Sequence, residues 1–96
     1  MAKVLWISSY SRISHPDRLA AYTALALPAI KAADGRVLAR GLPLQTYEQG
    51  QTERVVAIEF DSIESARKMH DGADYQAALA ALAGGAKRDI RIIETV

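Results

Sequence analysis

Val4 to Ser9 runs apolar without alternation and carries β-branched and aromatic side chains, the pattern of a strand covered on both faces. Ser8, Ser9, Tyr10 and Ser11 then turn the chain polar. Beyond them the period changes. Leu19, Tyr22, Ala26, Ala29 or Ile30, and Ala33 recur at helical spacing, a stripe of mostly small side chains that lets a helix lie close to a sheet. Ser14 is the expected cap, with Asp17 favouring the positive end of the helix dipole and Pro16 tolerated in the first turn. Pro28 lacks the N–H that would bond the carbonyl of Ala24, so a bend is expected there rather than a break. Asp34-Gly35 ends the helix, with the glycine expected to take the left-handed conformation.

Arg36 to Gly41 predicts a second strand, with Arg36, Leu38 and Arg40 on one face and Val37 and Ala39 on the other. Leu42 to Glu53 is a long connection containing Pro43 and Gly50, and its Tyr47 and Glu48 lie where a loop can fold over a cleft. Arg54 to Phe60 predicts a third strand, apolar on both faces apart from Arg54 and Glu59. Asp61-Ser62 caps a helix in which Ile63, Ala66 and His70 share a face with Met69 adjacent. Asp71-Gly72 breaks that helix, and Tyr75, Ala78, Leu79 and Leu82 form a second apolar face that stops at Gly84-Gly85. Asp89 to Glu94 predicts the last strand.

The order is β-α-β-β-α-β, which predicts an α+β ferredoxin-like sandwich in one domain over residues 1–96, its helices on one face of a four-stranded antiparallel sheet. Helices on one side leave the other side bare, yet Val4-Leu5-Trp6-Ile7, Val55-Val56-Ala57-Ile58 and Ile92-Ile93 put apolar groups on both. Monomers seldom expose apolar patches beyond roughly 300–600 Å². The expectation is a homodimer with its sheets face to face and Trp6 in the dimer core.

Composition narrows the function classes. A chain of 96 residues buries only ~65% of its unfolded surface, so help from a partner chain suits it. Twelve basic and eleven acidic residues leave a net charge of +1 without a like-charge run, so neither nucleic acid nor a membrane surface is the expected partner. The RNA-recognition module shares this element order, but it stacks bases on central-strand aromatics, and the third strand here offers only Phe60 at its end. Cysteine is absent, which removes disulfides, zinc-thiolate sites and thiol nucleophiles, and suits a reducing, cytoplasmic setting. The N-terminal apolar run is too short for a signal or spanning segment.

Four segments together carry a resemblance: Asp34-Gly35-Arg36-Val37-Leu38-Ala39-Arg40-Gly41, Arg54-Val55-Val56-Ala57-Ile58-Glu59-Phe60-Asp61-Ser62, Asp74-Tyr75-Gln76-Ala77-Ala78, and Ile92-Ile93-Glu94. As a set they resemble domain-of-unknown-function family 1330, over roughly residues 4 to 96. That family belongs to the dimeric α/β barrel superfamily, so the resemblance implies a ferredoxin-like protomer dimerised through its sheet. It implies no assigned chemistry, because relatives with this fold include cofactor-free monooxygenases, haem-degrading enzymes, muconolactone isomerase and stress-response barrels. The chain departs from the family pattern at Asp34-Gly35, where a Gly-Gly pair is usual, and at Glu94-Thr95, where Glu-Gly is usual.

Candidate chemistry centres on Glu59, because an ionised carboxylate in an apolar strand must be paired or shift its pKa. It is either a general base or one half of an ion pair with Arg36 or Arg40. His70 is either a proton-transfer group between helix and sheet or a cation at a helix C-terminus. His15, before Pro16, is expected in solvent. Tyr75 can fill the core or orient a ligand, Tyr10 and Tyr22 can line a pocket, and Arg40 can bind a carboxylate or phosphate through its planar fork. The two histidines show no metal-ligand spacing, and no phosphate loop or nucleophile triad occurs, so neither metal nor cofactor is expected. Two function classes follow: a cofactor-free oxygenase- or isomerase-type enzyme, and a non-catalytic dimeric module holding a small acidic or aromatic compound.

Overall fold

The computed structural model describes residues 2–96. Its elements run β1 (Val4–Ile13), α1 (Pro16–Ala32), β2 (Arg36–Gly41), β3 (Val55–Phe60), α2 (Ile63–Asp71), α3 (Ala73–Leu82) and β4 (Ala86–Glu94). The sheet has the order β2-β3-β1-β4 with every pairing antiparallel. This is the ferredoxin-like arrangement, with the second helical layer split at Gly72 into α2 and α3.

Burial along β1 alternates strictly. Val4, Trp6, Ser8 and Tyr10 are buried, whereas Leu5, Ile7 and Ser9 are half-exposed on the other face. Period-two alternation therefore governs a strand whose apolar run suggested cover on both sides. One consequence is that Trp6 faces the helices, between Ile58 and Ile92 of the neighbouring strands, and is not on the open face where a sheet-to-sheet partner would sit. The core joins these residues to Leu19, Tyr22, Ala26 and Ile30 of α1, Met69 of α2, and Tyr75, Ala78 and Leu82 of α3. Pro28 lies inside an uninterrupted α1.

Three local expectations change. The cap of α1 is His15, without a side-chain capping bond; Ser14 instead donates its hydroxyl to the Gly85 carbonyl at 3.2 Å, tying the start of α1 to the start of β4. After α1 the left-handed residue is Asp34 (φ 58°), not Gly35. Gly35 is required for space, since a Cβ there would sit 2.6 Å from Ile30 Cγ2 and 2.8 Å from the Phe60 ring. The third change bears most on function. The β2–β3 register shifts between Val37 and Ala39, so Leu38 is an extra residue: Arg36 lies opposite Glu59 on the open face, and Arg40 lies opposite Val56 on the helix face. The predicted shared face of Arg36, Leu38 and Arg40 is divided by that bulge.

Candidate functional site

Between α1 and the sheet lies a cleft whose floor is β1 and β3. Trp6, Ser8 and Tyr10 enter it from alternate positions of β1, and Val56 and Ile58 from β3; Tyr22, Ala26 and Ile30 of α1 form the opposite wall. The cleft holds about 440 Å³ of empty space counting its open mouth. Arg40, Arg54 and Arg88 line it from β2, the start of β3 and β4. At the mouth it runs into a shallower groove that shares Thr23, Arg40 and Arg54 and adds Glu53 and Leu19.

Packing explains why this end of the sheet is aromatic and basic. Tyr10 and Arg88 are cross-strand partners on β1 and β4. The Arg88 guanidinium lies 4.7 Å from the Tyr22 ring centroid and 5.7 Å from that of Tyr10, within cation–π range of both rings. One of its nitrogens donates to the Tyr22 hydroxyl at 2.9 Å, and Tyr22 shares a 2.8 Å hydrogen bond with the hydroxyl of buried Tyr75. Tyr75 in turn meets Trp6 edge-on, with centroids 5.7 Å apart. Burial raises the pKa of Tyr75 well above the ordinary phenol value, and its bond to Tyr22 adds to that. Burial also raises Tyr10, partly offset by the nearby Arg88 charge. Both are neutral phenols near pH 7. Ser8 is only 3% exposed, and its hydroxyl has no hydrogen-bond partner among the described residues.

The candidates from sequence separate into two groups. Tyr10, Tyr22 and Arg40 come together in the cleft, and Tyr75 sits behind Tyr22 as both core filler and hydrogen-bond partner. Glu59 and His70 do not join them. Glu59 lies on the open face of the sheet, where Arg36 Nε donates to its Oε1 at 2.9 Å and Lys3 Nζ stands 3.9 Å away. Arg36 also bonds Asp61 at 3.0 Å, and these two acids raise its pKa through their hydrogen bonds. The ion-pair alternative is what the geometry holds, with Arg36 and not Arg40 as partner. His70 packs its ring 6.0 Å from Trp6 and 5.3 Å from Tyr75, so both aromatics stand between it and the cleft. Its Nδ1 meets Asp71 at 2.9 Å near the end of α2, the position of a C-terminal cation. His15 caps α1 and bonds Ser14 at 3.0 Å. Residues 42–52 of the connection do not line the cleft, and Leu44 and Tyr47 extend into solvent. Among the described residues no cluster of three or more metal-binding side chains occurs, and no helix is long and apolar enough to cross a membrane.

Sequence reading missed Arg54, Arg88, Ser8 and the role of Trp6. Arg88 falls in Ala86-Lys87-Arg88-Asp89, which lacks apolar alternation, and β4 begins three residues before the expected Asp89. Ser8 was legible in principle, since Trp6, Ser8 and Tyr10 share a face at period two.

The model of a protein family described as a domain of unknown function, DUF1330, matches residues 3–96. The chain belongs to the DUF1330 family. No curated protein matches it. Among solved structures, this DUF1330 chain is similar to the RPA0582 protein of unknown function from Rhodopseudomonas palustris, at 17% identity over 99% of this chain and 83% of that one, with a TM-score of 0.74. It is similar to SnoaB, a cofactor-independent oxygenase from Streptomyces nogalater, at 9% identity over 100% and 95%, with a TM-score of 0.71. A dimeric protein of unknown function with a ferredoxin-like fold from Bacteroides fragilis matches at 17% identity over 99% and 98%, with a TM-score of 0.61. At these identities the similarity is one of fold.

Proposed function

We propose that this DUF1330 protein is a homodimer in which each protomer binds a small molecule in the cleft between α1 and the sheet. The observation that carries the binding reading is the convergence of three arginines, two tyrosines and a buried serine unpartnered among the described residues on one concave surface otherwise lined by Thr23 and apolar side chains. Support for the dimer comes from the open sheet face, where Leu5, Ile7, Val55, Ala57 and Ile93 lie side by side without helical cover. At the middle of that face the charged residues Arg36 with Glu59 and Arg91 with Asp89 are already paired within the protomer, which lowers the cost of covering them, and the cations Arg12 and Lys87 lie toward its edge. The dimeric Bacteroides fragilis protein shares the fold.

Trp6 is the single tryptophan and lines the cleft, so it reports occupancy directly. Small aromatic compounds are expected to change its emission saturably. Val56→Trp, which fills the cleft from its floor, is expected to abolish that response at ligand concentrations tenfold above the wild-type midpoint. A saturable response that survives the filled cleft contradicts the site.

A cofactor-free oxygenase or isomerase working in the same cleft is the second reading, supported by the fold shared with SnoaB. Its proton-transfer group would have to come from the Tyr22–Tyr75–Arg88 chain, because Glu59 and His70 lie outside the cleft. Oxygen uptake with hydroxylated aromatic compounds, lost in Tyr22→Phe, distinguishes it from binding alone.

A further inference from the structure

Resting on the small-molecule reading of the cleft, we infer that its ligand is a small aromatic carboxylic acid, with the carboxylate at Arg88 and a second hydrogen-bonding group reaching Ser8. Charge is the first reason. The whole chain carries a net charge of +1, yet the ionisable groups lining the cleft are three guanidiniums and two phenols, without a carboxylate. Glu53 lines only the neighbouring groove, where its carboxylate accepts the backbone N–H of Arg54.

Arg88 is the second reason. Half-buried on the helix face, it has no carboxylate within 4 Å among the described residues, and its side-chain hydrogen bond goes to the Tyr22 hydroxyl. A guanidinium carries five N–H donors in a planar fork, and a partly desolvated one left without an anion is under-compensated. Cation–π contact with Tyr22 and Tyr10 and the hydrogen bond to the Tyr22 hydroxyl restrain that fork, which suits the two-point contact that a carboxylate makes.

Ser8 supplies the third reason and a length. A sequestered hydroxyl without a partner is destabilising, and here it belongs to a side chain lining the cleft. Ser8 lies two residues along β1 from Tyr10, which faces Arg88 across the strand pair. Two residues of strand span about 6–7 Å, the scale of a para-substituted ring. Between these polar ends the walls are Trp6, Ile58, Ala26 and Ile30, an apolar surface that suits an aromatic body.

The test compares 4-hydroxybenzoate, benzoate and the neutral 4-hydroxybenzamide by titration calorimetry, with Trp6 emission as a second readout. Wild-type protein is expected to bind 4-hydroxybenzoate at least tenfold more tightly than the amide. Arg88→Met should remove that difference while the amide still binds, and Arg88→Lys, which keeps the charge but loses the fork, should restore only part of it. Ser8→Ala should lower the advantage of 4-hydroxybenzoate over benzoate and leave benzoate unchanged. Equal binding of acid and amide by the wild type overturns the carboxylate inference and leaves the cleft as a ligand site. Failure of all three compounds to bind overturns both.

Discussion

The two faces of the sheet are built from the same strands and treat charge in opposite ways. On the open face Arg36 meets Glu59 and Asp61, and Arg91 meets Asp89, so these two guanidiniums are matched inside the protomer. In the cleft on the helix face Arg88, Arg40 and Arg54 converge without an acid in its lining, beside buried phenols and a serine hydroxyl that has no partner among the described residues. Paired charge in an apolar surface can be covered by another surface at modest cost, whereas unpaired charge in a cleft calls for a ligand. The carboxylate that draws attention in the sequence, Glu59, therefore sits on the side whose electrostatics are already settled.

The largest expected effect lies on the helix face. Tyr75 is fully buried among Trp6, Tyr22 and His70, and Tyr75→Ala is expected to cost about 3–5 kcal/mol in urea unfolding. Next is the open face. Ile7 lies between Ala57 and Arg91, so Ile7→Lys sets a second cation beside an existing one, and like charges at an interface cost several kcal/mol. Sedimentation should show monomer at micromolar concentration, with binding in the cleft retained. If Ile7→Lys leaves a dimer intact, the open face is not its interface.

A smaller effect comes from pH. Burial raises the pKa of Tyr75, and of Tyr10 in part, above the 10.0 of an exposed phenol. A folded pKa above the unfolded one means that this stabilisation is complete below pH 10 and is lost as pH rises through the folded values. Wild-type stability should accordingly fall in the alkaline range, and Tyr75→Phe should flatten that fall while removing one hydrogen bond worth about 1 kcal/mol. Smallest is Glu59→Gln. The carboxylate is 22% exposed and Arg36 keeps Asp61, so a loss of about 0.5–1 kcal/mol is expected, with cleft affinity unchanged.

The element order, the broken second helix and the apolar stripe of α1 were all legible, because each depends on local period and on glycine or proline punctuation. Facing was less so. An unbroken run such as Val4-Leu5-Trp6-Ile7 says nothing about which parity meets the helices, and the tryptophan was assigned to the wrong side for that reason. The bulge at Leu38 depends on pairing with β3 across a twelve-residue connection, and it decides which arginine reaches Glu59 and which reaches the cleft. Arg88 enters the site through its register opposite Tyr10, a relation set by the whole sheet and by no local pattern.

Side-chain N–H resonances separate the two faces in one measurement, because backbone amides of alternating residues do not. In a ¹⁵N-labelled sample titrated with 4-hydroxybenzoate, the Trp6 indole and the Nε–H groups of Arg88, Arg40 and Arg54 should shift together and saturate. Those of Arg36 and Arg91 should stay in place. Saturable shifts at Arg36 and Arg91 with Trp6 unmoved would put the ligand on the open face and contradict the division between the two sides of the sheet.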